Sequence, residues 1–313
     1  MDSEQFSVGT SVTVEVPASS ANLGPGFDSV GLALGITDTV QATVAAEGLQ
    51  ITVDGHSADT VPTDESHLIW RSALTMWQRL GIEPPPGLIL RCRNGIPHSR
   101  GLGSSAAAIV AGMALALALV RDRIDGPASL AMLSDVASDL EGHPDNASAS
   151  VYGGLTVSWA DDEGNGWRTV RPRLHPNVNV ALLLPEATLS TDSARAALGD
   201  TVSMSAAAST VGRAALLVHA LTEEPELLLP ATRDWLHQEP RRASYEQSME
   251  VVDRLRARGL AASISGAGPA VLVLSAGEFA IDAGDLPEGW QVLWPGIAMT
   301  GVRVVSHSGP STV

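Results

Sequence analysis

Gly95-Ile-Pro-His-Ser-Arg-Gly-Leu-Gly-Ser-Ser105 is a glycine- and serine-rich loop that opens directly into an apolar stretch, residues 106–120. Gly101 and Gly103 free the backbone to curl, so that successive N–H groups point inward. Ser104 and Ser105 add hydroxyl donors, and the helix expected after them turns its positive end toward the same space. Such a loop holds a triphosphate without lysine. A serine hydroxyl here is also a suitable oxygen donor for Mg2+, and Arg100 is the loop's fixed positive charge. Two other readings stay open on this stretch alone. The loop only caps a buried helix, or it holds a nucleotide of another kind, with alanine in place of the third glycine of Gly-x-Gly-x-x-Gly.

Upstream, Ser11-Val-Thr-Val-Glu-Val16 alternates as a strand with one apolar face. It runs into Pro17-Ala-Ser-Ser-Ala-Asn-Leu-Gly-Pro-Gly-Phe-Asp28, whose turn residues read as a loop. Strands are expected at 30–34, 37–45, 49–53 and 88–92, with a helix over 66–80 that ends at Gly81. Downstream, a second helix fits 127–140, Gly142-His-Pro-Asp-Asn146 breaks it, and 152–158 follows as a strand. Residues 161–166 form a polar hairpin tip near a domain boundary, 178–184 a buried strand and 201–220 a helix. Residues 230–259 read as largely helical, and 262–274 as strand, glycine turn, strand. This order is mixed, so the fold class is α+β and not a doubly wound sheet. A chain of 313 residues lies near the limit for one core, which predicts two domains, 1–160 and 161–313.

Composition narrows the function. Hydrophobic residues at 44% and charged residues at 17% describe a globular protein. The formal charge of −16 argues against nucleic acid and anionic membrane as partners. It leaves room for ATP held by a local nest of backbone amides. Cys92 is the single cysteine, so there is no intrachain disulfide, and a cytoplasmic, reducing compartment is expected. Residues 1–10 lack a leader pattern, and the apolar run 106–120 is too short to span a bilayer. All 19 basic residues are arginine. That excludes a Walker-A loop, protein-kinase chemistry with a strand lysine, and Schiff-base catalysis.

Three motifs carry a resemblance. Pro97-His-Ser-Arg-Gly-Leu-Gly-Ser-Ser-Ala-Ala107 resembles the nucleotide loop of the GHMP small-molecule kinase superfamily. Pro17 to Asp28 is similar to its first motif, and Ile264-Ser-Gly-Ala-Gly-Pro269 to its third, in the right order. Within the superfamily, Ser-Ala-Asn-Leu-Gly-Pro-Gly-Phe-Asp28, Glu141-Gly-His-Pro-Asp-Asn146, Thr191-Asp-Ser-Ala-Arg195 and Leu236-His-Gln-Glu-Pro-Arg241 resemble the homoserine kinase branch. The resemblance covers about residues 12–274. It implies a two-domain GHMP kinase fold, with a ribosomal-protein-S5-domain-2-like N-terminal domain and a ferredoxin-like C-terminal domain. ATP, Mg2+, a small amino-acid alcohol and a homodimer are implied with it. Departures are Ala270 where threonine is common, Pro240 where an aromatic is common, and the polar run Ala147-Ser-Ala-Ser150.

Homoserine is a zwitterion with a terminal hydroxyl, so its site needs a cation, acceptors and a hydroxyl partner. Arg195 and Arg241 are the candidate carboxylate clamp, with Arg242 as the alternative to Arg241. Asp28 and Asp145 suit the ammonium, with His143 beside them, and the resemblance adds Thr191. Asn22 and Asn146 suit orientation of the hydroxyl and, with Arg195, form the candidate catalytic set. For ATP the resemblance implies Pro97, His98, Ser99, Arg100, Gly101, Leu102, Gly103, Ser104, Ser105, Ala106 and Ala107, together with Gly266 and Gly268. For the metal it implies Ser105 and an acid, Glu141 in preference to Asp135 or Asp139. Each residue also has a plainer reading: Asn22 and Asp28 brace a turn, His143 caps a helix end, and the arginines are surface residues. Direct attack by the substrate hydroxyl is expected, with Asp145 as the alternative base. Competing functions are a GHMP kinase for another alcohol and a non-catalytic ligand-binding relative.

Overall fold

The alternation at the N-terminus produces a strand longer than its pattern. β1 (Ser11–Asn22) runs antiparallel to β2 (Gly26–Ala45), pairing from Ser11 with Thr43 to Asn22 with Gly26. The computed structural model describes residues 6–121, 124–282, 284 and 286–309. Residues 1–5 of the N-terminal stretch considered above lie outside them, as does the side chain of Asp192. Residues 17–22 were expected as loop and are strand, because the ladder with β2 continues past Pro17 through a register irregularity. The same irregularity joins the two strands expected at 30–34 and 37–45 into β2. Only residues 23–25 remain as the turn.

β2 also pairs with β4 (Gly87–Asn94), and β4 lies parallel to β3 (Gly48–Gly55). A parallel pair needs a crossover, and α1 (Leu68–Leu80) supplies it, stopped by Gly81 in the left-handed conformation. α2 (Ser104–Ala118) is apolar on every side and almost wholly buried, as a central helix must be. It takes Val12, Val14 and Val16 of β1 on one flank and α1 on another. There Trp77 Nε1 donates to the Ala116 carbonyl at 3.1 Å.

After α3 (Pro127–Glu141) the chain forms α4 (Pro144–Tyr152), a helix that Pro144 at its first turn disguised as a break. The polar run 147–150 lies inside this helix and is buried. Its hydroxyls are satisfied: Ser150 Oγ donates to Pro17 O at 3.1 Å and Ser148 Oγ to Thr156 Oγ1 at 3.0 Å. β5 (Leu155–Ala160) and β6 (Trp167–Val170) form the expected hairpin.

The second sheet has the order β10–β7–β9–β8, all antiparallel: β7 (Val178–Leu184), β8 (Ala261–Ile264), β9 (Val271–Ala276) and β10 (Gln291–Leu293). Its helices are α5 (Thr191–Ala196), α6 (Met204–Thr222), α7 (Leu228–Ala231) and α8 (Glu246–Ala257). Between α7 and α8 the expected helix is absent. Asp234 instead accepts the N–H groups of Leu236, His237 and Gln238 at 2.8–3.0 Å and winds the chain into turns. α6 has the length and apolar composition of a membrane-crossing helix, its apolar residues being interrupted by serines, Thr210, Arg213 and His219.

The tail after Ser275, which carried no motif, returns to the start of the chain. β11 (Arg303–Ser308) pairs antiparallel with β1 at the edge of the first sheet. With β6 it lies beyond residue 160 yet in the seven-stranded sheet. We therefore propose a first domain of residues 6–170 plus 303–308, rather than one ending at 160. Truncating Leu115 of α2 to Ala should cost about 2–5 kcal/mol through the cavity it leaves. The check is a lowered urea midpoint at unchanged m-value; a midpoint equal to wild type would mean that α2 is not the core.

Candidate active site

The glycine-rich loop before α2 hangs between the two sheets. Gly101 and Gly103 both take positive φ, +74° and +67°. A Cβ on Gly101 would overlap the Ser265 carbonyl, and one on Gly103 would overlap Ser19 Oγ and lie 2.9 Å from Asn146 Oδ1. Ser265 Oγ donates to Gly101 O at 2.6 Å and shares a 2.8 Å bond with Ser20 Oγ. Ser19 N donates to Leu102 O at 3.0 Å, Gly266 N to Ala21 O at 3.1 Å, and Asn22 Nδ2 to Gly266 O at 3.1 Å. Segments far apart in sequence are thus tied together, and among the described residues no side chain caps the N-terminus of α2. That end stays open toward the cleft.

The cleft, about 180 Å³, is lined from both domains. On one wall Asp28 and Arg195 form a two-pronged ion pair at 2.7 and 3.1 Å. Arg241 is buried, with 2% exposure. Among the described residues its guanidinium has no acid partner, and its Nε has no hydrogen bond. Burial, and the charge of Arg195 among lesser causes, lowers its pKa. On the other wall His143 Nδ1 and Asp145 Oδ1 are 2.7 Å apart, and Asn146 N also donates to Asp145 Oδ1 at 2.7 Å. Burial alone would depress His143; the hydrogen bond and the charges of Asp145 and Glu141 outweigh it and raise the pKa. At the foot of the loop Ser105 Oγ donates to Glu141 Oε2 at 3.0 Å, and burial raises the Glu141 pKa.

A second cavity of about 210 Å³ lies behind Ser104 and Ser105. Asp38, His67, Asn94 and His98 line it with apolar Ile69 and Ala108. Burial pushes Asp38 up to about 6, although Ile96 N donates to it at 2.9 Å.

The family model described as GHMP kinases N terminal domain matches residues 67–154, and that for GHMP kinases C terminal matches 210–283. Homoserine kinase of Mycobacterium tuberculosis is 49% identical over 262 residues, 83% of each chain. That of Rhodococcus opacus is 46% identical over 308 residues, 94% of this chain and 97% of the relative. The chain belongs to the homoserine kinase family. The crystal structure of homoserine kinase from Cytophaga hutchinsonii superposes with a TM-score of 0.81 at 25% identity, covering 94% of this chain and 97% of that one. Mevalonate diphosphate decarboxylase from Staphylococcus aureus, at 15% identity and a TM-score of 0.66, shares the fold.

Against the expectations from the homoserine kinase motifs, most candidates converge. Asn22, Asp28, Glu141, His143, Asp145, Asn146, Thr191, Arg195 and Arg241 border the cleft, with Ser99, Gly101, Leu102, Gly103, Ser104, Ser105 and Gly266. Pro97, Ala106 and Ala107 are buried behind the loop, His98 faces the second cavity, and Gly268 packs on Gly101. Arg100 is a correction: its guanidinium donates to Pro185 O at 2.6 Å and Glu186 O at 2.9 Å, bracing the end of β7 instead of the cleft. Arg242 pairs with Glu239 and Asp253 on the surface, so Arg241 is the cleft residue of the two. Asp135 and Asp139 accept from Trp167 N at 2.8 Å and its Nε1 at 2.9 Å, which removes both from the cleft. Sequence reasoning passed over Phe27, Ser190 and Leu189 in the lining and Ser19 behind the loop. Phe27 lies within the Pro17–Asp28 motif, but nothing in one sequence marks an apolar residue as facing a polar cleft. Gly103→Ala should raise KM for ATP at least tenfold and lower the thermal midpoint as well, because the new Cβ meets Ser19 Oγ in a left-handed backbone; an unchanged KM for ATP in the folded variant would contradict this account of the loop.

Proposed function

We propose that this chain transfers the γ-phosphoryl group of ATP to the hydroxyl of L-homoserine, giving O-phospho-L-homoserine and ADP as a step of threonine biosynthesis. The observation that carries the reading is Arg241, a buried cation that faces the cleft without an acid partner among the described residues. A buried guanidinium is costly unless something neutralises it, and a substrate carboxylate fits that need with two parallel hydrogen bonds. Arg195 offers a second fork, while Asp28 and Asp145 accept the ammonium. A neutral sugar would leave these charges unmatched, and mevalonate would leave the acids without a cation.

The α2 N-terminus and the loop amides hold the phosphates, and the second cavity suits the nucleoside end. Ser105 and Glu141 are oxygen donors already in contact, and a part-buried carboxylate that, among the described residues, makes no salt bridge suits a hard cation. They would hold Mg2+, which neutralises charge on the β- and γ-phosphates when bound. Phosphoryl transfer has a loose transition state, so alignment and charge do most of the work. Asn146 orients the acceptor hydroxyl, its Oδ1 fixed by Ser19 Oγ at 3.0 Å. Asn22 is committed otherwise, donating to Gly266 O and accepting from Asp28 N at 3.1 Å each. It therefore acts by holding Asp28 and the third motif in place. The hydroxyl attacks directly as the bond from the γ-phosphorus to ADP breaks, and its proton leaves late, to a phosphoryl oxygen of the product. We propose further that the enzyme works in the cytoplasm, as a homodimer by analogy with its family.

The test is ADP release with ATP, Mg2+ and homoserine, threonine, mevalonate, shikimate or galactose. Turnover with homoserine well above the others supports the reading. Turnover with another acceptor overturns it, and ATP binding without turnover points to a ligand-binding relative. The raised pKa of Glu141 adds a prediction with a definite sign. Its carboxylate form holds the cation, so activity falls as pH drops through a value above the ordinary 4.5. Added Mg2+ competes with the proton and should move this acid limb lower. An acid limb independent of Mg2+ would remove Glu141 from the metal site.

A further inference from the structure

Both cleft arginines stand over one ring. The Arg195 and Arg241 Cζ atoms lie 5.6 and 5.5 Å from the Phe27 centroid. The ring stacks in turn on His237, with centroids 5.0 Å apart and planes 24° from parallel. His237 is wholly buried, and burial lowers its pKa, which keeps the imidazole neutral. Its Nε2 lies 2.7 Å from the Gly24 carbonyl, so Nε2 carries the proton and donates. Among the described residues the other ring nitrogen has no hydrogen-bond partner, and the His237 carbonyl accepts Arg241 N at 3.3 Å. Gly24 sits so close to the Thr232 carbonyl that a Cβ there would overlap it. His237 therefore ties the turn at residues 23–25, next to Phe27 and Asp28 at the start of β2, to the segment that ends in Arg241.

Two guanidiniums near one another repel, and Asp28 is in contact with only one of them. A negative aromatic face offsets part of that repulsion without neutralising either charge. An acid would offset it better but would also occupy the fork that a carboxylate must enter. We propose that Phe27 and His237 are positioning residues for the acceptor: the stacked pair sets where Arg195 and Arg241 stand, and so makes the site select an acceptor bearing a carboxylate. The proposal rests on the homoserine reading and deepens it. The histidine has two tasks, a flat ring for Phe27 and an N–H for Gly24. Phenylalanine keeps only the first and asparagine only the second.

The experiment measures Phe27→Leu, Phe27→Tyr, His237→Phe and His237→Asn against wild type, with homoserine and with 3-aminopropan-1-ol, which lacks the carboxylate. Phe27→Leu should raise KM for homoserine at least tenfold with KM for ATP within twofold, and Phe27→Tyr should restore most of the loss. The preference for homoserine over 3-aminopropan-1-ol in kcat/KM should shrink in Phe27→Leu and in both His237 variants. A purely structural role would lower both acceptors together and leave the preference intact, which overturns the proposal, as does an unchanged KM for homoserine. Should Phe27→Leu fail to fold, the His237 variants carry the same test with the same two outcomes. Wild-type protein that ignores homoserine altogether would instead defeat the functional reading, a result distinct from either.

Discussion

The hydroxyl of Ser265 donates to the carbonyl of Gly101 at 2.6 Å, across a contact with no room for a side chain on the glycine. This contact joins the turn between β8 and β9 of the second sheet to the loop before α2 of the first. Ser20 on β1 completes the join through its own hydroxyl. Because the tie uses carbonyl oxygens of the loop, at Gly101 and Leu102, it leaves the loop's N–H groups uncommitted, and both domains are needed to shape it. The three glycine-bearing motifs are thus one object in space. Small residues serve them because backbones approach closely there, and serine hydroxyls replace the hydrogen bonds that such close packing would otherwise leave unmade.

Charge is arranged against the global trend. A chain of net charge −16 concentrates two arginines in its cleft, one of them buried. The Asp28–Arg195 pair is about a third exposed on both sides, so it contributes at most about 0–1 kcal/mol. A weak pair is readily exchanged: a zwitterion supplies a cation for Asp28 and an anion for Arg195 without leaving either charge alone. Arg241 has no such pair among the described residues, and its burial is a cost the folded protein carries in the absence of a ligand. Stability sacrificed at a binding site is a common pattern in natural proteins.

Much of this was legible beforehand. The Gly101–Ser105 loop, the Ile264–Pro269 turn and the Asp145–Asn146 pair are marked by residue types whose chemistry is local. The α+β class followed from the order of periodic segments. What escaped depended on distant partners. Residues 17–22 look like loop because of Pro17 and the serines, yet β2 pairs with them. α4 is hidden by Pro144 and by serines whose acceptors, such as Pro17 O, are 133 positions away. β11 has no motif, only an open edge of β1 to complete. Arg100 looked like a phosphate ligand by position, but side-chain direction is set by the carbonyls of Pro185 and Glu186, which no local pattern announces.

The claim on which the rest turns is that Arg241 recruits the acceptor. Calorimetric titration of L-homoserine into wild type and Arg241→Gln, without ATP, tests it most directly. The account predicts a Kd at least tenfold higher for the variant, at a thermal midpoint equal to or above wild type, because an unpaired buried charge has been removed. Equal affinity in the two proteins would contradict it, and would return Arg241 to the scaffold.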